Sequence, residues 1–296
     1  MTRLSSIPNK AFSVLGAAFF LMAVPRVQAA GGAAAEHLFN IGPLPVTNSM
    51  VTSWVISLIL IACIRLAVGR PSLVPSRGQA MVESAVEGIL GLIEPIVGKR
   101  VVFAAFPVLA SLFLFILIQN WSGLLPGVGS LYIYSESTGH WVPMIRPGNA
   151  DMNGTLALTI VHFAAWLFLV MKYAGPKLII QDWFGNKADR NEVPVVIYYF
   201  LTVIFLFVGV IEVVSVMFRN VSLPFRLFGN VFGGENLLVN MTNLVPWGVP
   251  IPFYLLELLV GFVQALVFTL LVSVYIGLLC NHDDDHAHST EEAHAH

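Results

Sequence analysis

The sequence predicts an all-α integral membrane protein with about five membrane crossings, an amphipathic surface helix, and two long, tilted helices at its C-terminal end that form a hairpin. Three observations carry this prediction. The 296 residues are 57% hydrophobic and 11% charged, with a mean hydropathy of +0.80, where a soluble domain carries about 25% charged residues. Apolar runs long enough to cross a bilayer recur along the chain. Lys and Arg collect in alternate loops, as the positive-inside rule requires. The net charge of −2 and the lack of a basic patch interleaved with aromatics exclude a nucleic-acid partner. Cys63 and Cys280 lie near the ends of different apolar runs. Without CxxC or other ligand spacing, no disulfide, metal or cofactor is expected.

Residues 1–30 read as a signal peptide. Arg3 and Lys10 precede a short apolar core, and Val27-Gln28-Ala29 ends an A-x-A-like site. An uncleaved first helix is the alternative, and both place residues 31–50 outside. Residues 31–280 form a single membrane domain. Its first crossing covers 50–68, with Arg65 at the inner end where it can snorkel. Arg70, Arg77, Lys99 and Arg100 place 69–100 in the cytoplasm. Within that segment an apolar stripe at helical spacing, with Glu83, Glu87 and Glu94, marks a helix on the membrane surface. The acids are its solvated face.

The second crossing, 101–118, ends in NWSGLLP, where Trp121 suits the interface and Gly123 and Pro126 stop the helix. The loop 127–154 is polar, with Arg146 its one basic residue, so it belongs outside. The third crossing covers 155–173. Asp151 or Asn153 can cap it, and a place at a water entrance is the sharper alternative for Asn153. Lys172, Lys177, Lys187 and Arg190 return the chain to the cytoplasm.

From 193 to 241 the chain stays apolar for far more than one perpendicular span of about 20 residues. Two helices or one long bent helix would satisfy this. Around Arg219 and Pro224 there is no acidic or glycine-rich turn. A proline can kink a membrane helix without ending it, which favours one tilted helix. A short outer turn, 242–250, carries Trp247, and the last crossing runs 251–279. The polar tail 281–296 is expected to be disordered and cytoplasmic; its His and Asp residues are read as solvated.

The long helix carries ionisable groups, each of which costs at least about 2.5–3.5 kcal/mol at bilayer depth. At about 100° per residue, Glu212, Ser215, Arg219 and Asn230 lie within about 40° of Arg226, while Glu235 falls about 180° away. Arg226 and Glu235 therefore face different surroundings. On the last helix Glu257, Gln264 and Tyr275 form one polar stripe, expected to face Glu235 or Arg226. Ser215, Asn230, Asn236 and Gln264 also suit a plain role as helix-to-helix glue. Arg226 and two glutamates suit it poorly. Gly229, Gly233 and Gly234 offer a smooth surface for a close or sliding contact.

At these residues, SLPFRLFGNVFGGE resembles the signature of subunit a of F-type ATP synthases: Ser222, Leu223, Arg226, Leu227, Phe228, Gly229, Asn230 and Glu235. NWSGLLP, Asp151-Met152-Asn153, and Gln264 with Tyr275 resemble further family motifs, so the likeness spans about residues 45–280. The resemblance implies a proton-translocating stator subunit in a bacterial inner membrane, with the mature N-terminus outside. Its partners would be a rotor ring of hairpin subunits, peripheral stalk subunits and, indirectly, a soluble ATPase head. The last two helices would lie against the ring, with Arg226 facing a ring carboxylate. Glu235, Glu257, Gln264, Asn230 and Asn153 would line an exterior half-channel. Glu212 and Ser215 would line a cytoplasmic one. Two departures stand out: some members have histidine where Glu257 stands, and Pro224 precedes the motif. The alternative from the residues alone is a self-contained ion-coupled transporter. The chain has no P-loop and neither HExxH nor GxSxG, so no hydrolytic site of its own is expected.

Overall fold

The chain turns back and forth through a layer of long helices. The structure, a computed structural model, describes residues 35–42, 44–125, 128, 132–135, 139–175, 194–245 and 248–280. The signal-like segment, Pro126, Lys177, Lys187, Arg190, Trp247 and the tail 281–296 lie outside the described residues. Among those described, the order is β1 (His37–Ile41), β2 (Leu44–Thr47), α1 (Asn48–Val68), α2 (Arg77–Val97) and α3 (Val102–Ser122). Then come β3 (Tyr132–Ser135), β4 (His140–Pro143), a 3-10 turn (Gly148–Ala150), α4 (Met152–Tyr173), α5 (Val195–Leu244) and α6 (Pro250–Cys280). All of these helices except α2 are long and apolar enough to cross a membrane, giving five spans. The protein is an all-α, multi-pass membrane protein.

Local chemistry sets the helix ends. Thr47 caps α1 by accepting from the Met50 N–H, and Arg65 sits in its last turn, where a cation favours the helix dipole. Ser76 caps α2 by accepting from Gln79 N–H. Gly69 and Gly98 follow α1 and α2 at φ 58° and 84°, a region that suits glycine. Asp151, not Asn153, caps α4: its carboxylate accepts from the Asn153 N–H.

Helix α5 is continuous for 50 residues, with Pro224 inside it. At 1.5 Å per residue it measures about 75 Å, more than twice the ~30 Å hydrocarbon core, so it must lie steeply tilted or bent. Pro224 is buried and interrupts one backbone bond without ending the helix.

Two features differ from the sequence reading. The segment read only as lying outside, 31–50, and the segment read as a polar loop, 127–154, contain two antiparallel hairpins, β1 with β2 and β3 with β4. Strands of four or five residues are too short to announce themselves by alternation. Helix α2 is amphipathic, but it does not only lie on the surface. Ile93 and Val97 near its end are buried in the core with Leu109, Ile116, Leu227, Phe268 and Ile276. A Cβ at Gly277 of α6 would collide with the Ile96 carbonyl, so glycine there lets α2 and α6 approach.

Candidate functional site

At the end of the bundle that carries the hairpins, a polar segment is buried inside the protein. All six residues from Arg146 to Asp151 are buried, Arg146 to 3% exposure. Backbone polar groups taken out of water need partners, and side chains of α1, α3 and the segment itself supply them. The Arg146 N–H donates to Thr52 Oγ1 (3.2 Å) and its Nη2 to the Ala150 carbonyl (3.2 Å). The Gly148 N–H donates to Gln119 Oε1 at 3.1 Å. Asn149 Nδ2 donates to Asn120 Oδ1 at 2.7 Å, and Ser49 Oγ donates to Asp151 Oδ2 at 2.8 Å. Asn120 in turn donates to the Gly261 carbonyl of α6 (2.9 Å), and Trp121 Nε1 donates to that of Leu258 (3.1 Å). The Asn and Trp of NWSGLLP thus bolt α3 to α6.

Next to this segment lie the glutamates. The 3-10 turn that follows Arg146 packs on α5, the helix that carries Glu235. Glu235 is half-buried, and its Oε2 is buried without a hydrogen-bond partner among the described residues. A Cβ at Gly234 would collide with the carboxylate of Glu257. The missing side chain at 234 therefore makes room for Glu257 to lie over α5, one residue from Glu235. Deeper in, Asn230 Nδ2 donates to Gln264 Oε1 at 2.9 Å, with Gln264 only 4% exposed. Glu257, Asn230 and Gln264 thus lie in the α5–α6 interface, with Glu235 next along α5 to the glycine that Glu257 covers. Asn153 does not join them: its side chain is exposed on the first turn of α4.

Arg226 faces the other way. It is exposed on the outer surface of α5, and no hydrogen bond or ion pair holds it among the described residues. Gly229 and Gly233 lie exposed on the same side, with nothing within 4 Å of a Cβ built at either. The helix presents a cation between smooth steps.

Toward the start of α5 stands a separate polar cluster. Arg219 Nη1 lies 3.7 Å from Glu212 Oε1, and its guanidinium lies over the Tyr275 ring of α6, 4.9 Å from the centroid. Ser215 is half-buried between them along the helix. Tyr275 thus meets Arg219 rather than Arg226 or Glu235. The stripe read on α6 also has company: Thr269 and Ser273 are buried, their hydroxyls donating to carbonyls one turn back.

Sequence reasoning missed the buried role of Arg146 and the Ser49–Asp151 contact. The lone arginine of a loop otherwise free of basic residues was the available signal. It also missed His162, buried on α4 with its ring edge-on to Phe268 at 5.3 Å and its Nδ1 without a hydrogen-bond partner among the described residues.

Membrane-length helices that carry paired and unpaired charges in their interiors define a class: a polytopic membrane protein built to handle charge within the bilayer. The comparisons name the family. The family model described as ATP synthase A chain matches residues 50–277. ATP synthase subunit a of Moorella thermoacetica is 31% identical over 240 residues, 81% of this chain and 94% of the relative. That of Gloeobacter violaceus is 31% identical over 253 residues, 85% of this chain and 92% of the relative. ATP synthase subunit a 2 of a Bradyrhizobium species is 31% identical over 81% of this chain and 92% of its own length. The chain belongs to the ATP synthase A chain family.

Proposed function

We propose that the chain is the proton-translocating stator subunit of a rotary F-type ATP synthase in a bacterial inner membrane. The observation that carries this is Arg226, exposed on α5 beside two open glycine positions. A cation on an outward helix face, inside an apolar stretch, needs an anion from elsewhere. A ring of hairpin subunits, each with a membrane carboxylate, supplies it. At about 4 Å and an effective dielectric near 20 the attraction is about 4 kcal/mol, about a thousandfold in proton affinity. A ring carboxylate therefore gives up its proton as it passes Arg226, which stays charged throughout.

Protons reach and leave that contact by two water paths offset along α5. The exterior path runs by Glu257 and Glu235 to Gln264 and Asn230, with Asn153 at its mouth. Glu212 and Ser215 line the cytoplasmic path. The fixed charge of Arg226 keeps a proton from running straight between them, and the membrane potential supplies about 2.3 kcal/mol per charge per 100 mV. The hairpins then lie outside and the C-terminus inside. Peripheral stalk subunits hold the chain against ring torque, and ATP chemistry belongs to the soluble head. A transporter would place Arg226 in an internal pocket, whereas it stands on the outer face of α5.

The test is ATP-driven acidification of inverted membrane vesicles. Arg226→Ala abolishes it while the complex still assembles, and Glu235→Gln or Glu257→Gln slows it. Normal coupled pumping by Arg226→Ala would overturn the reading.

A further inference from the structure

The Glu212–Arg219–Tyr275 cluster has an asymmetry that assigns its members different tasks. Arg219 has two holders: the Glu212 carboxylate at 3.7 Å and the Tyr275 ring at 4.9 Å. Glu212 has one, Arg219, among the described residues. Both side chains remain partly open, Arg219 at 38% and Glu212 at 45%. They sit seven residues apart on one face of a helix, with Ser215 between. The ring under Arg219 belongs to α6, so the cluster also ties the two long helices together. It does so well away from the Asn230–Gln264 bond that ties them nearer the other end.

We infer that Arg219 is a positioning residue for the cytoplasmic path: clamped on Tyr275, it fixes α5 against α6 and balances the charge of Glu212, whose task is to hold that arginine rather than to carry protons. This rests on the proposed reading of the chain as an ion-conducting subunit. A charge within the bilayer is tolerated when paired, and removing one partner strands the other. Stranding Glu212 is the worse case, because it keeps no second holder. Stranding Arg219 is the milder one, because the aromatic face still attracts the cation. Removing both charges leaves nothing stranded. A relay carboxylate would behave in the opposite way. Its loss would be the severe lesion, and removing the arginine as well would not repair it.

The Tyr275 side chain can be varied separately from the backbone contact at the same residue. Its carbonyl accepts a hydrogen bond from Trp166 Nε1 at 3.2 Å, and that bond does not involve the phenol. Tyr275→Phe keeps a ring beneath the guanidinium, whereas Tyr275→Leu removes it.

The experiment measures ATP-driven acidification in inverted vesicles, normalised to assembled complex by immunoblot. Arg226→Ala serves as the control for the underlying reading. Arg219→Gln should lower the rate about tenfold and Glu212→Gln about twofold, with Arg219→Gln/Glu212→Gln returning to the Glu212→Gln level. Arg219→Lys should retain most of the activity lost in Arg219→Gln. Tyr275→Phe should pump better than Tyr275→Leu. The inference is overturned if Arg219→Gln pumps normally, if Glu212→Gln falls as far as Arg219→Gln, or if the double variant gains nothing over Arg219→Gln. Normal pumping by Arg226→Ala would count against the ion-conducting reading itself. Its loss, with the wrong order among the other variants, counts against the clamp alone.

Discussion

Replacing Gly234 by alanine tests how the two glutamates are held. The added methyl group meets the carboxyl carbon and both oxygens of Glu257. These atoms end a flexible side chain, so the carboxylate gives way and the helices stay. It must retreat until its atoms stand about 3.5–4.0 Å off. Overpacking of this kind costs about 1–3 kcal/mol, here at the low end. Alanine returns about 1 kcal/mol over glycine in a helix interior. Stability of the purified complex should therefore change by no more than about 1 kcal/mol in either direction. Transport should change much more. A misplacement of about 1 Å at a reacting centre can cost a hundredfold, and a movable relay group should lose about tenfold. Proton pumping per assembled complex, measured beside thermal denaturation, reads both quantities. Gly234→Ala combined with Glu257→Gln should be no worse than Glu257→Gln alone, since each removes the same group from the same place. Losses that multiply in the double variant, or normal pumping in Gly234→Ala, would refute the argument. Gly229→Ala is the contrast: with nothing within 4 Å of its Cβ, it should leave this chain's own packing unstrained, and on the proposed reading any loss of pumping arises at the ring contact.

Two further outcomes follow from the bolted interior. Asn120→Leu removes the bond to Gly261 and the acceptor for Asn149. At about 1–3 kcal/mol for each buried group left unmade, it should lower the stability of the solubilised complex by about 2–4 kcal/mol. Thermal denaturation checks this. His162→Phe keeps a ring against Phe268 and deletes a buried nitrogen that has no hydrogen-bond partner among the described residues. It should leave pumping unchanged and stability equal or up by about 1 kcal/mol. A loss of pumping would show that the imidazole itself takes part.

The membrane helices were legible because apolar runs, proline and alternating basic loops are local signals. The single long helix was legible from what its middle lacks, an exterior turn around Pro224. The facing of side chains was legible only in part. Asn230 and Arg226 differ by about 40° on a regular helix, and so were read as sharing a face. In the structure Arg226 points out and Asn230 turns in to Gln264. The two straddle the rim of the α5–α6 contact, where a small angle decides the surroundings. The burial of 146–151 was not legible. Its backbone partners are Thr52 and Gln119, 94 and 29 positions away. No local pattern encodes such distant hydrogen bonds. Gly234 was read as part of a smooth outer surface, and its real neighbour, Glu257, lies 23 residues further along on another helix.

The bonds from Asn120 and Trp121 to α6 reach across 141 and 137 residues of sequence. They set an order for the making of the protein. The earlier helices can enter the bilayer one by one as they are synthesised, each satisfying its own backbone. Yet the carbonyls of Gly261 and Leu258 exist only once the last helix has been translated. Until then, the Asn120 amide lacks its α6 acceptor and the α3 surface that meets Gly261 stays uncovered. The final helix is thus the closing piece of assembly. A chain halted before it would sit in the membrane as inserted but unlocked helices, each holding its own backbone bonds without the contacts that join them.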